Sequence, residues 1–121
     1  MQIGIRLHDT KKGTLEERVA IAEEQGFSCA HLALKKVISE YSVADSVLTP
    51  GFSCYLKKLF AAHHLDVAVL GCYLNLATPD QAALEKNVHR YMAHIRMASL
   101  LGAGVVGTET GAVNESYSFE E

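Results

Sequence analysis

Leu65-Asp66-Val67-Ala68-Val69-Leu70-Gly71-Cys72-Tyr73-Leu74 is the stretch on which the fold reading turns, because its apolar and β-branched residues run on continuously instead of alternating with polar ones. Alternation marks a strand with one wet face. A continuous run marks a strand covered on both faces, as in a parallel sheet flanked by helices. Immediately downstream, Thr78-Pro79-Asp80-Gln81 combines a Thr-x-x-Gln capping box with proline at the first helical position. The helix it opens carries Leu84, Val88, Tyr91, Ile95 and Ala98 on one stripe and runs to Gly102. Strand followed by long helix is the unit of a parallel sheet.

The same unit recurs on both sides. Upstream, Ile3 to Leu7 is a short apolar run that ends in His8-Asp9-Thr10, and Thr14-Leu15-Glu16-Glu17 is a second capping box. Leu15, Val19 and Ala22 give the next helix its apolar face, and Gly26 supplies the left-handed position that closes it. Phe27 to Leu34 predicts the second strand. Thr49-Pro50 caps a helix in which Phe52, Leu56, Leu59, Phe60 and His63 recur at helical spacing. Downstream, Ala103 to Thr108 predicts a fourth strand. The expected elements are strands at 3–7, 27–34, 65–74 and 103–109 with helices at 15–25, 50–64 and 79–101, in a single domain over 1–121.

This order, βαβαβαβ with helical crossovers, gives the α/β class and right-handed connections. Each unit takes about 30 residues, so eight would approach the ~250 residues of a closed (β/α)8 barrel, and this chain is about half of one. Ser118-Phe119-Glu120-Glu121 is a further Ser-x-x-Glu box, the start of a helix without a body. It predicts a chain cut within the first turn of its fourth helix; a frayed tail is the alternative.

Composition narrows the function classes. Of 121 residues 49% are hydrophobic, and 11 basic against 14 acidic side chains leave a formal charge of −3, with lysines in scattered pairs. No basic face of the kind phosphate backbones require is expected, so nucleic acid is not an expected partner. The apolar runs fall far short of the roughly 20 residues of a membrane helix, and the N-terminus has no secretory pattern, so a cytoplasmic chain without membrane association is expected. Cys29, Cys54 and Cys72 are odd in number and form no CxxC pair, which predicts free, buried thiols.

Gly102-Ala103-Gly104-Val105-Val106-Gly107 is a literal GxGxxG, but it follows a helix and enters a strand. A dinucleotide turn needs the reverse order, so Gly102 is expected to cap a helix and Gly104 to form a turn. His63-His64 and His89/His94 lie off any common helical face, which argues for surface or capping roles rather than a shared ion. The strand ends differ. Arg6 and His8 at the first, His31 in the second, Tyr73 and Asn75 at the third and Glu109 at the fourth gather at one sheet edge, where such folds place ligands. Imidazoles, a phenol, an amide and a carboxylate suit a hydroxyl-rich small molecule, since each hydroxyl both donates and accepts. The alternative is that polar residues simply terminate strands.

Leu70-Gly71-Cys72-Tyr73-Leu74-Asn75, the helix from Asn87 into Leu101-Gly102-Ala103, and Val105-Val106-Gly107-Thr108-Glu109-Thr110-Gly111 together resemble the sugar phosphate isomerases/epimerases of the xylose isomerase-like TIM-barrel superfamily. Ile3-Gly4-Ile5-Arg6 and Gly26-Phe27 are similar to it too. The resemblance spans nearly the whole chain but only the N-terminal half of that fold. It implies a metal-dependent parent enzyme (Mn, Mg, Co or Zn) that moves a proton between adjacent carbons of a sugar or sugar phosphate, with two carboxylates as acid and base. It also implies that the glutamate, aspartate, histidine and glutamate ligands come from strands five to eight, so that these four strands hold no metal ligand and no catalytic residue and are inactive alone. His31 stands where many members carry a glutamate. What carries over is a substrate-facing rim of Arg6, His8, His31, Tyr73, Asn75 and Glu109.

Open edge strands and an apolar inner surface further predict a homo-oligomer or a complementing half-barrel as partner. Two other readings compete: a small α/β binding module, for which the His8–Gly13 loop has only one glycine, and a non-catalytic assembly subunit.

Overall fold

A computed structural model describes residues 1–109 and residue 111. The elements follow in the order β1 (Gly4–Arg6), a 3-10 turn (Leu7–Asp9), α1 (Leu15–Glu24), β2 (Cys29–Leu32), α2 (Leu34–Val37), a second 3-10 turn (Asp45–Val47), α3 (Pro50–Ala62), β3 (Asp66–Gly71), α4 (Gln81–Leu101) and β4 (Val105–Gly107). All strand pairs are parallel and the sheet order is β1-β2-β3-β4. A sheet whose spatial order equals its chain order has no switch point. Right-handed crossovers therefore stack every long helix on one face, which is the winding of a barrel and not of a doubly wound sheet. α1 packs on α3 and α3 on α4.

Local signals set most boundaries. Thr14 Oγ1 accepts from the Glu17 amide at 3.2 Å while the Glu17 carboxylate accepts from the Thr14 amide at 3.2 Å, closing the expected box on α1. Thr49 caps α3 with Pro50 in its first turn, and Gly102 ends α4 at φ 76°, a left-handed position that suits glycine. The GxGxxG segment is thus a helix end and a strand. α4 departs from expectation at its start: Asp80 accepts from the amides of Ala82 and Ala83, whereas Thr78 only accepts from Asp80. A carboxylate is the stronger acceptor and carries charge that favours the positive end of the helix dipole. The expected strands at 27–34 and 65–74 shorten, because Leu34–Val37 turns helical and the chain beyond Gly71 leaves the sheet.

The core lies between sheet and helices, with Leu7, Val19, Leu32, Leu56, Phe60, Leu70 and Met97 all fully or nearly fully buried. Ala30 pairs with Val67 but His31 pairs with Val69, so β3 advances two residues where β2 advances one. This bulge at Ala68 puts Val67 and Leu70, three apart, on the same buried face. It also explains why β3 has no clean alternation. The opposite face stays open: Ile3, Ala68 and Val105 are exposed. Burial of β3 on both faces is therefore not met within the described residues. The α4 stripe is also corrected, since His94, Met97, Ala98 and Leu101 are buried while Val88 and Ile95 are exposed. The helix is rotated because polar residues of its inner side have partners: Asn87 donates to Asn75 O, Arg90 to Val43 O, and His94 Nδ1 to Arg90 O. The Ser118 box lies outside the described residues.

Candidate functional site

The C-terminal ends of β1, β2 and β3 meet above the sheet. β1 runs straight into the Leu7–Asp9 turn, which Arg18 holds in place. Arg18 is buried on the inner side of α1, and its guanidinium donates to the carbonyls of Leu7, His8, Thr10 and Gly13 and to Thr10 Oγ1 at 3.1–3.4 Å. A planar fork with five donors satisfies a loop of carbonyls that a lysine would leave partly unpaired. His8 rides on this turn.

Three rings form a chain across the strand ends. The His8 and His31 imidazoles meet edge to face with centroids 5.7 Å apart, and His31 meets Tyr73 at 5.9 Å. Tyr73 Oη lies 3.0 Å from His31 Nε2, so the phenol donates to the imidazole when His31 carries its proton on Nδ1. His31 can occupy this place because Gly71 lies beneath it: a Cβ at position 71 would sit 2.4 Å from His31 Nε2. Lys36, on the α2 turn after β2, holds its ammonium 4.2 Å above the Tyr73 ring. Arg6 pairs with Asp9 at 2.7 Å on the exposed side.

Burial disfavours the protonated form of both imidazoles. Burial lowers the pKa of His8 from its ordinary value, opposed by Asp9 and reinforced by Lys36, Arg6 and Arg18. Burial also lowers that of His31, reinforced by His8, Arg6 and Lys36 and opposed by Asp9. A neutral imidazole both donates and accepts, and it can take a proton. His8 Nδ1 is buried and has no hydrogen-bond partner among the described residues, and such a group is uncommon enough to suggest a ligand or water contact.

Of the six expected rim residues, the structure brings His8, His31 and Tyr73 together, with Arg6 beside them. Asn75 serves its own loop, its side chain accepting from the Ala77 amide at 3.1 Å and its carbonyl from Asn87. Glu109 is exposed beyond β4, with no partner for its carboxylate among the described residues. Sequence reasoning missed Lys36, Gly71 and Arg18. Arg18 was findable, since it falls on the Leu15/Val19/Ala22 face where an unpartnered charge would be costly.

The remaining histidines divide. His63 Nδ1 and His64 Nδ1 lie 2.6 and 3.0 Å from the two oxygens of Glu23, so they share a carboxylate. His89 is exposed, but His94 is buried rather than superficial, correcting the surface expectation. Cys72 is buried, with burial pushing its thiol up to about 11, Cys29 is half-buried and Cys54 exposed. Among the described residues, no three His, Cys, Asp or Glu converge to hold a metal ion. No helix among them is long and apolar enough to cross a membrane.

No protein-family model and no curated protein matches the sequence. Solved structures do match in fold. The chain is similar to a xylose isomerase-like TIM barrel/4-hydroxyphenylpyruvate dioxygenase fusion protein with a TM-score of 0.65 at 16% identity, covering 95% of this chain and 18% of that one. It is similar to D-psicose 3-epimerase, solved in the presence of D-fructose, with a TM-score of 0.66 at 11% identity, covering 96% of this chain and 43% of that one. The chain spans less than half the length of either protein. The likeness is one of fold: four consecutive parallel strands and their helices, as in part of a TIM barrel.

Proposed function

We propose that residues 1–121 form one domain, the N-terminal half-barrel of a sugar or sugar phosphate isomerase/epimerase-like protein, and that the strand-end cluster binds the hydroxyls of the substrate. The observation that carries this reading is the His8–His31–Tyr73 chain of mutually positioned rings above the sheet, with one buried imidazole nitrogen that has no partner among the described residues. Adjacent hydroxyls of a polyol need groups that donate and accept without a fixed charge, and neutral imidazoles and a phenol supply both. Lys36 flanks the cluster as a cation for an anionic substituent, Arg6 lies beside it paired with Asp9, and Asn75 and Glu109 extend the rim. The fold likeness to an epimerase solved with D-fructose supports a sugar as the ligand class.

In this reading the four strands alone turn over no substrate. The paired carboxylates and divalent ion implied by the resemblance belong to strands that these residues do not include. The open sheet face and the edge strands β1 and β4 then favour a partner, either a second copy or a complementing half-barrel, burying about 800 Å² per side as standard interfaces do. Calorimetric titration with D-fructose tests the binding step. Saturable heat that weakens in Tyr73→Phe and His31→Ala is expected. Absence of saturable heat for ketohexoses and their phosphates, or heat untouched by both substitutions, overturns it.

A further inference from the structure

The segment joining α2 to α3 and the first half of α4 line an open cleft of about 960 Å³ whose charged lining is Lys35, Asp45, Lys86 and Arg90. Arg90 is already committed: its Nη1 meets Asp45 at 2.7 Å and its Nη2 donates to Val43 O at 2.7 Å, which latches the segment onto α4. That pair cancels the cleft's one carboxylate. Lys35 and Lys86 remain, with no ion-pair partner among the described residues. The hydroxyls of Ser42 and Ser46 also line the cleft, and neither has a hydrogen-bond partner among the described residues. The recess continues into a smaller cavity of about 150 Å³ that shares Lys35, Leu74 and Arg90, adds Lys36 and contains no acidic side chain.

Two uncompensated lysines facing a concave surface concentrate positive potential, here in a chain whose formal charge is −3. The cleft falls within the roughly 300–1,000 Å³ that small-molecule sites occupy. A tetrahedral dianion is the ligand whose oxygens use two ammonium groups and two hydroxyl donors at once. We propose that this cleft is a phosphate-binding site, taking the phosphate of a monoester or free phosphate against Lys35 and Lys86, with Ser42 and Ser46 donating. The assignment is independent of what the imidazole cluster binds.

Titration of the full chain at pH 7.5 and low salt, followed by calorimetry and 31P resonance, tests it with three probes: inorganic phosphate, D-fructose 6-phosphate and D-fructose. Saturable phosphate binding is expected, weakened about tenfold or more in Lys35→Gln/Lys86→Gln and by added salt, as for charge-assisted contacts. It should be unchanged in Lys57→Gln/Lys58→Gln, which alters two exposed lysines of α3. Tighter binding of the sugar phosphate than of phosphate, lost in the same variant, identifies a monoester site, and equal binding identifies a free-phosphate site. Phosphate binding with D-fructose silent retains this site while removing the sugar reading. Absence of saturable binding below about 1 mM, or equal weakening in both double variants, overturns the site whatever D-fructose does.

Discussion

Replacing Gly71 with alanine separates a spatial requirement from a conformational one. Gly71 is not among the residues with positive φ, so an alanine backbone is unstrained there, and the added methyl would otherwise be neutral or mildly favourable. The obstacle is the neighbour. The new Cβ would sit 2.4 Å from His31 Nε2, 3.2 Å from Tyr73 Cε2 and 3.3 Å from Ala33 Cβ. The first distance is far inside contact, and His31 is bracketed by His8 and Tyr73, so the ring must swing out and lose its bond to Tyr73. Overpacking of this kind costs about 1–3 kcal/mol, which for a domain of this size lowers Tm by about 4–12 °C. Released into solvent, the imidazole loses the burial that depresses its pKa, so its titration should move up toward the ordinary histidine value. Thermal melts and ring-resonance titration measure both effects. The double variant Gly71→Ala/His31→Ala supplies the control, since removing the ring makes room for the methyl. Its destabilisation should fall short of the sum of the single changes by about 1 kcal/mol or more. An unshifted His31 titration with an unchanged melt, or strict additivity of the two changes, would refute the proposed packing of the ring on β3.

Other expectations follow from the same contacts. Arg18→Leu removes the guanidinium donors from the Leu7, His8, Thr10 and Gly13 carbonyls, leaving only the Thr10 hydroxyl as a side-chain donor, to Leu7 O, and denaturant unfolding should show a loss of about 2–3 kcal/mol, with His8 resonances broadened as its turn loosens. His8, His31 and His94 each bind a proton less readily folded than at the ordinary value of 6.5. The unfolded chain therefore takes up protons first on acidification, so stability is intact above about pH 6.5 and declines below it, visible as a Tm that falls between pH 7 and 5. Asp80→Ala should cost about 1 kcal/mol by removing the α4 cap. Thr78→Ala should stay within about 0.5 kcal/mol, and equal losses in melting experiments would return the cap to Thr78.

Much of the architecture was legible because it rests on local chemistry. The Thr14/Glu17 box, Thr49-Pro50 and Gly102 are short-range devices whose partners lie within four residues, and each does in the fold what its spacing predicts. Long-range register is not encoded that way. The bulge at Ala68 depends on how β2 and β3 align, so the continuous apolarity of β3 was legible while its cause, a change of face part-way along, was not. The rotation of α4 escaped for a related reason. Hydropathy assigns Val88 and Ile95 to the core, yet Arg90 and His94 lie inward because backbone carbonyls receive their protons. At the candidate site, strand-end position was enough to expect His8, His31 and Tyr73 side by side, as the ring contacts have them. It did not foretell that the Asn75 side chain also accepts from its own turn, or that Gly71 makes room for a ring from the neighbouring strand.

Ring-nitrogen resonances of the histidines, recorded at pH 7 with and without saturating D-fructose, bear most directly on the strand-end cluster as a polyol site. The predicted result is movement confined to His8 and His31, with His63, His64 and His89 unmoved because they lie away from it. Uniform small shifts in all six histidines, or none in His8 and His31, would contradict it.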